Sequence, residues 1–303
     1  ALGVPVDLPL PSQRLGRDKQ LADLLAAYGE ASERSAPQAP AQERRALRRS
    51  STAPAHAANG LPVLALVDGL AGSGKSAVVQ DASQAMRRHG ATVATGKFNQ
   101  FGDSRPLSAL AQALDGAIAG LLADELRAGQ QAVERLTGAL GTQAGVLFDF
   151  LPRLAQLLGP QATPPPLPGE ASRVRFELLL GRLIGALATR AAPLVLVIDD
   201  IQWADSATLR LLRGLVRSPS IRNLLVVGVY RSEAVDEGHG VTRLIQDLTH
   251  AGARMRRVTV PLWGESDIAA LLALAGVSAA DEARGLAPAL LRSTGGNPFG
   301  VIQ

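Results

Sequence analysis

A chain of 303 residues with 47% hydrophobic and 19% charged side chains can bury a substantial core, as one large domain or two moderate ones. The absence of cysteine excludes disulfides, thiolate metal sites and cysteine nucleophiles, and the four histidines are too scattered for a metal site, which makes a reducing cytoplasm the simplest setting. The formal charge of +4 is spread over several Arg-bearing stretches and aromatics are only 3%, so nucleic acid is not an expected partner; no apolar run is long enough to cross a bilayer, and the first residues lack a signal peptide's basic start.

Residues 1–13 read as a linker. Leu21, Leu24, Leu25 and Tyr28 then recur at helical spacing, predicting an amphipathic helix over 16–28. From 31 to 59 the chain turns to Ala, Pro, Ser, Gln and Arg with almost no large apolar side chain, too little to offset the entropy of ordering. A disordered insertion is expected there. Its Arg44-Arg-Ala-Leu-Arg-Arg-Ser-Ser51 cluster is either a solvated charge run or a polyanion or phosphorylation site.

The apolar run 63–67 is a buried strand that leads into Gly69-Leu-Ala-Gly72-Ser-Gly74-Lys75-Ser76. This is the pattern of a phosphate cradle. Glycines let backbone N–H groups turn inward at an anion, and the following helix, residues 77–86, presents its positive end to the same point. Gly69, Gly72, Ser73, Gly74 and Ala77 belong to this cradle. Lys75 is spaced to reach the β- and γ-phosphates of a nucleotide, and the Ser76 hydroxyl to ligate Mg²⁺. Arg87 and Arg88 suit the helix's negative end, with Gly90 as its stop.

Four more strands are predicted at residues 91–98, 193–199, 223–230 and 257–261, with helices such as 106–123 and 173–189 between them. Alternation of this kind means a parallel sheet covered on both faces. The proline run at 163–169 is a stiff connector. The strand Leu194-Val-Leu-Val-Ile198 ends in Asp199 and Asp200, and two carboxylates at the tip of an apolar strand need a cation. Asp199 is the expected second Mg²⁺ ligand and Asp200 the group that orients or deprotonates the attacking water. Arg231, at the end of the next strand, either senses the γ-phosphate or pairs with Glu233 on the surface. Lys97 and Gln100 face the same edge. Asp205 is an acceptable helix N-cap and Trp203 is expected to pack.

Taken together, the pieces resemble the signal-transduction ATPases with numerous domains (STAND), a branch of the AAA-related P-loop ATPases. The likeness rests on Leu15-Gly-Arg-Asp-Lys-Gln-Leu21, the loop 69–76, Ile198-Asp-Asp-Ile-Gln-Trp-Ala-Asp205 and Ser293-Thr-Gly-Gly-Asn-Pro-Phe299. Within it, Thr95-Gly-Lys-Phe-Asn-Gln-Phe101 with Pro106-Leu-Ser-Ala-Leu110 is similar to the ATPase module of bacterial hybrid proteins that join a Ser/Thr kinase-like domain, a GAF domain and a histidine kinase. Asp18 stands where that family has Glu, and Asn99 where it more often has Asp.

The resemblance implies an α/β three-layer P-loop NTPase sandwich with sheet order 5-1-4-3-2. It implies a core over 14–261 and, from 262 to 303, the start of a helical lid. Arg17 would then lie near adenine, Pro298 would touch the base or ribose, and ATP or ADP with Mg²⁺ would be the ligand. The partners implied are other domains of the same polypeptide, with a homo-oligomer also in view. The chain lacks an initial Met and stops at Gln303 within what reads as a helix's first turn, so a longer polypeptide is expected. The expected activity is a slow ATP-driven switch in signalling. Two other readings stay open: the ATPase core of a LuxR-type regulator or DNA-binding initiator, and a nucleotide-holding scaffold without turnover.

Overall fold

The computed structural model describes residues 16–32, 60–100, 105–123, 127–162, 164–275 and 280–303. The Arg-rich cluster at 44–51 and most of the expected insertion lie outside the described residues.

Helix α1, Asp18–Ala31, buries Leu24, Leu25, Ala27 and Tyr28 at the spacing read from the sequence, but it continues through Ala31, the residue at which the insertion was expected to start. Tertiary contact explains the extension. Glu30 near its end pairs with Arg256, and Ala31 is itself buried.

Five parallel strands follow: β1 (Val63–Gly69), β2 (Thr92–Lys97), β3 (Leu194–Asp199), β4 (Leu224–Arg231) and β5 (Met255–Thr259), arranged in the order β2-β3-β4-β1-β5. This is the expected order read from the other edge. Strand β5 starts two residues before the predicted 257, because Leu64 and Ala65 of β1 pair with Met255 and Arg256 although their neighbours are charged. Strand β4 runs to Arg231 rather than 230, since Arg231 pairs with Gly69 at the end of β1.

Side chains alternate across the sheet into two cores. Leu64, Leu66, Leu196, Ile198 and Val226 face one, with α3 (Ser108–Ala123), α4 (Arg127–Leu140), α5 (Pro152–Leu158), α6 (Gly169–Leu187), α7 (Ser206–Arg217) and α8 (Gly240–His250). Val63, Ala65, Val67, Val195, Val197 and Val227 face the other, with α1 and α2 (Lys75–Arg88). Helix α6 begins at Gly169, four residues ahead of the predicted 173, because Pro168 in extended backbone ends the proline connector and serves as its N-cap. Between α4 and α5 a 3-10 segment, Gly141–Leu147, buries Ala144 and Leu147.

Beyond β5 come α9 (Glu265–Leu274), α10 (Ala280–Thr294) and the short α11 (Pro298–Ile302). They hold a small apolar cluster of their own around Trp263, Ile268, Leu272 and Ala287. The sheet's C-terminal edge faces this helical group.

Candidate functional site

The loop after β1 is shaped by its glycines. Gly72 at φ 75° and Gly74 at φ 93° occupy left-handed backbone that a side chain disfavours, and Gly74 is the N-cap of α2, with no side-chain bond capping the helix. The first N–H groups of α2 are thus left for an incoming acceptor. Lys75 is buried, and its Nζ donates to the carbonyls of Gly69 and Leu70, both at 2.8 Å. Burial lowers the Lys75 pKa; the carboxylate of Glu233 opposes that shift and Arg231 adds to it.

Arg17, one residue before α1, is buried and donates from Nη2 to the carbonyl of Ser73 at 2.8 Å. Burial also lowers its pKa, opposed by Asp267 of α9. The guanidinium therefore ties the start of α1 to the loop.

Neighbouring strand ends supply the charges. Lys97, the last residue of β2, lies 3.4 Å from Asp199 Oδ2 and 3.1 Å from Asp200 Oδ2. Hydrogen bonding to Asp200 and the charge of Asp199 raise the Lys97 pKa. Burial opposes ionisation of Asp200, yet bonds from Gln202 and Lys97 and the charges of Lys97 and Arg231 outweigh it and hold the carboxyl below its usual range. Asp200 sits at φ 54°, a left-handed conformation rare for a non-glycine residue. Arg231 Nε is 3.8 Å from Asp200 Oδ1, so this arginine faces the acidic pair. Glu233 instead accepts from the N–H of Ala71 at 2.9 Å, and no Arg231–Glu233 ion pair is found among the described residues.

The helical group closes the other side. Asn297 caps α11 by accepting from the Phe299 N–H at 3.0 Å, and its Nδ2 donates to the carbonyl of Ala71 at 3.0 Å. Pro298 is buried at the first position of α11. Loop, strand ends and helices enclose one cavity of about 590 Å³. Its lining combines the charged Arg17, Lys75, Lys97, Asp199, Asp200 and Arg231 with the apolar Trp263, Leu271, Pro298, Phe299 and Ile302. The size and this mixed lining suit a ligand that has both anionic and apolar parts.

The same residues fit a phosphate chain and a hard cation. The Oγ of Ser73 is buried with no hydrogen-bond partner, and the ammonium of Lys75 donates to the carbonyls of Gly69 and Leu70 where the loop begins. Ser76 and Asp199, both lining the cavity, offer the hard oxygen donors that magnesium prefers. Of the expected site residues, Gly69 is buried under the loop rather than on the cavity wall; Gly72, Ser73, Gly74, Lys75, Ser76, Ala77, Asp199, Asp200, Arg231, Arg17 and Pro298 all line it. Gln100 is exposed and does not line it.

One expectation for the acidic segment is reversed. Trp203, expected to pack, is 43% exposed, whereas Gln202 is 4% exposed. The left-handed turn at Asp200 starts a short 3-10 helix, Ile201–Trp203, which directs Ile201 and Gln202 inward and Trp203 out. Asp205 is an N-cap, accepting from the Thr208 N–H at 2.9 Å, and it also accepts from the Leu107 N–H at 3.0 Å. Gln202, Asn297 and Glu233 carry bonds at the site that sequence reasoning did not assign. Gln202 follows the acidic pair after one apolar residue, Ile201, and that spacing carries no local sign of its bond.

A strand, glycine loop and helix, with an acid-tipped strand one place removed in the same parallel sheet and both at its C-terminal edge, define a P-loop ATPase. The chain belongs to the AAA ATPase domain family, whose pattern matches residues 42–227. It is similar to hybrid signal transduction histidine kinase G of Dictyostelium discoideum, 32% identical over 155 residues; that stretch is 50% of this chain but 4% of the relative's length. Among solved structures, a Walker-type ATPase of Pyrococcus abyssi superimposes with a TM-score of 0.51 at 11% identity, covering 98% of this chain and 69% of that one. Cdc6p from Pyrobaculum aerophilum gives 0.46 at 16% identity, covering 99% and 62%. No helix among the described residues is long and apolar enough to cross a membrane.

Proposed function

We propose that this chain is the Mg²⁺-dependent ATP-binding and slowly hydrolysing switch module of a larger signal-transduction protein, of the STAND type and associated with a sensor kinase. The carrying observation is the single cavity in which the phosphate loop, the acidic pair and the Asn297–Pro298 segment meet. The similarity to a hybrid histidine kinase supports the signalling context, with other domains of the same polypeptide as partners. A cytoplasmic setting, and assembly with further copies of the chain, belong to the same reading.

In this reading residues 14–261 form the ATPase core and 262–303 the beginning of a lid. The N–H groups of Gly72 to Ala77 cradle the β-phosphate. Lys75 leaves the carbonyls of Gly69 and Leu70 for the β- and γ-phosphate oxygens, and Ser76 and Asp199 hold the metal. Bound magnesium supplies charge neutralisation at the phosphates. Asp200 orients the attacking water and takes its proton, while Arg231 stabilises charge at the γ-phosphate. Arg17 and Pro298 border the adenine and ribose. The lid closes through Asn297 onto the loop and opens when the γ-phosphate is lost.

Calorimetry and steady-state phosphate release test this together. Lys75→Ala should abolish ATP and ADP binding, and Asp200→Asn should keep binding but slow phosphate release by about a hundredfold or more. Unchanged affinity in the first variant refutes the site. Unchanged turnover in the second removes Asp200 from its role.

A further inference from the structure

Strands β3 and β4 stay in register only as far as Ile198 and Gly228, whereas β4 and β1 remain paired to Arg231 and Gly69. The two β-strand tips that carry Asp200 and Arg231 therefore part just where the chemistry is placed. No backbone ladder fixes the distance between them.

One buried side chain spans the gap, beside the exposed Arg231, whose Nε lies 3.8 Å from Asp200 Oδ1. Gln202 is buried at 4% exposure, its Nε2 donates to Asp200 Oδ1 at 2.9 Å, and its Oε1 faces the backbone N–H of Arg231 at 3.4 Å. Beneath it, Ile201 packs against the Gly228 position, where an added Cβ would stand 3.2 Å from Ile201 Cδ1. The backbone is also set for this task. Asp200 in the left-handed region and the bond from the Trp203 N–H to the Asp200 carbonyl at 3.0 Å fold the chain back, so that an amide two residues on meets the carboxylate. Left-handed backbone at a non-glycine residue costs on the order of 1–3 kcal/mol and persists only where its surroundings hold it.

We infer that Gln202 is the positioning residue for Asp200: its amide fixes the rotation of the carboxylate and the spacing between Asp200 and the end of β4. The consequence for the two oxygens is distinct. Oδ1 is taken in a directed bond by a neutral amide at 2.9 Å, with Arg231 Nε further off at 3.8 Å, while Oδ2 faces the Lys97 ammonium at 3.1 Å. Lys97 is half exposed and on a flexible stem, so its contact is free to change on ligand binding. The buried Gln202 bond is the one that keeps the carboxylate plane constant as Lys97 moves. An amide suits both ends because it donates with nitrogen and accepts with oxygen. A carboxylate at 202 would keep the acceptor for Arg231 but offer no donor to Asp200.

The inference rests on Asp200 acting at the water, so the experiment measures that role alongside. Gln202→Met and Gln202→Glu are compared with Asp200→Asn and with the double variant Gln202→Met/Asp200→Asn, each assayed for ADP affinity, KM and kcat. Loss of a bond to a charged group should lower kcat about ten- to a hundredfold in both Gln202 variants, with KM and ADP affinity within twofold of the parent. In the Asp200→Asn background, Gln202→Met should change kcat by less than about twofold. A parental kcat in either Gln202 variant, while Asp200→Asn is slow, overturns the positioning role and leaves the Asp200 assignment standing. Full turnover in Asp200→Asn overturns the assignment itself and the inference with it. If Gln202→Met does not fold, Gln202→Glu alone decides, since it preserves size and the acceptor.

Discussion

Gly72→Ala tests the contact between the phosphate loop and the helical group at its closest point. A Cβ built at Gly72 would stand 2.4 Å from Asn297 Oδ1, 2.8 Å from its Nδ2 and 3.0 Å from its Cγ. The first cost is the backbone: alanine at φ 75° loses about 1–2 kcal/mol relative to glycine. The second is at Asn297, whose amide cannot turn aside freely. Its Nδ2 holds the Ala71 carbonyl and its Oδ1 caps α11 at Phe299, so moving it forfeits two hydrogen bonds of about 0.5–1.5 kcal/mol each.

The sum is about 2–5 kcal/mol against the observed contact between loop and helical group, and one part of it depends on Asn297. A double-mutant cycle separates the two parts. In the parent, Gly72→Ala should lower the melting temperature and weaken ADP binding by about thirtyfold or more, as calorimetry would record. In an Asn297→Ala background the same substitution should cost only the backbone strain, about 1–2 kcal/mol. An equal cost in both backgrounds would refute the contact, because the steric part would then have no source at Asn297.

Two further outcomes follow from the same geometry. Arg17→Ala leaves the Ser73 carbonyl without the bond it receives at 2.8 Å inside the protein, a loss of about 2 kcal/mol, and differential scanning calorimetry should show a drop of about 4–8 °C; an unchanged melting point would mean that the bond does not form. The Lys97–Asp200 pair sets a pH signature. Asp200 is held below its ordinary 3.8, so its contribution is present above that value and is lost as pH falls through the folded pKa; Lys97 is held above its ordinary 10.5, so its contribution is present below that value and is lost as pH rises through the folded pKa. Lys97→Met should therefore flatten the stability profile at both extremes, and a profile parallel to the parent's from pH 3 to pH 11 would count against the pair.

Much of the site was legible because its parts are local. The glycine loop, the helix that follows and the two carboxylates each lie within a few residues of an apolar strand, and the strand supplies the position while the residue types supply the chemistry. Strand ends were less legible. Met255 and Arg256 belong to β5 through pairing with β1, and Ala31 belongs to α1 because it is buried against the sheet; neither fact has a local signal. Trp203 and Gln202 were harder still. Hydrophobicity puts the indole inside and the amide outside, but the left-handed turn at Asp200 reverses them, and a single backbone angle at a non-glycine residue is not readable from composition. Glu233 and Asn297 gained their bonds to Ala71 from elements 162 and 226 residues away in the chain.

Those last two bonds meet on one residue at the loop tip. The N–H of Ala71 donates to the Glu233 carboxylate, just beyond β4, and its carbonyl accepts from Asn297, at the start of α11. The tip therefore cannot shift without loosening its tie to the strand end, to the helical group, or to both. Under the proposed reading a ligand that moves the tip and a motion that withdraws Asn297 are linked equilibria, and linkage is reciprocal for binding free energies. Whatever factor nucleotide contributes to lid closure, lid closure must return to nucleotide affinity. Asn297→Ala should accordingly reduce both by the same ratio, with ADP affinity measured by calorimetry and closure by the protection of α11 from hydrogen exchange. A change in one without the other would place the coupling outside the Ala71 peptide.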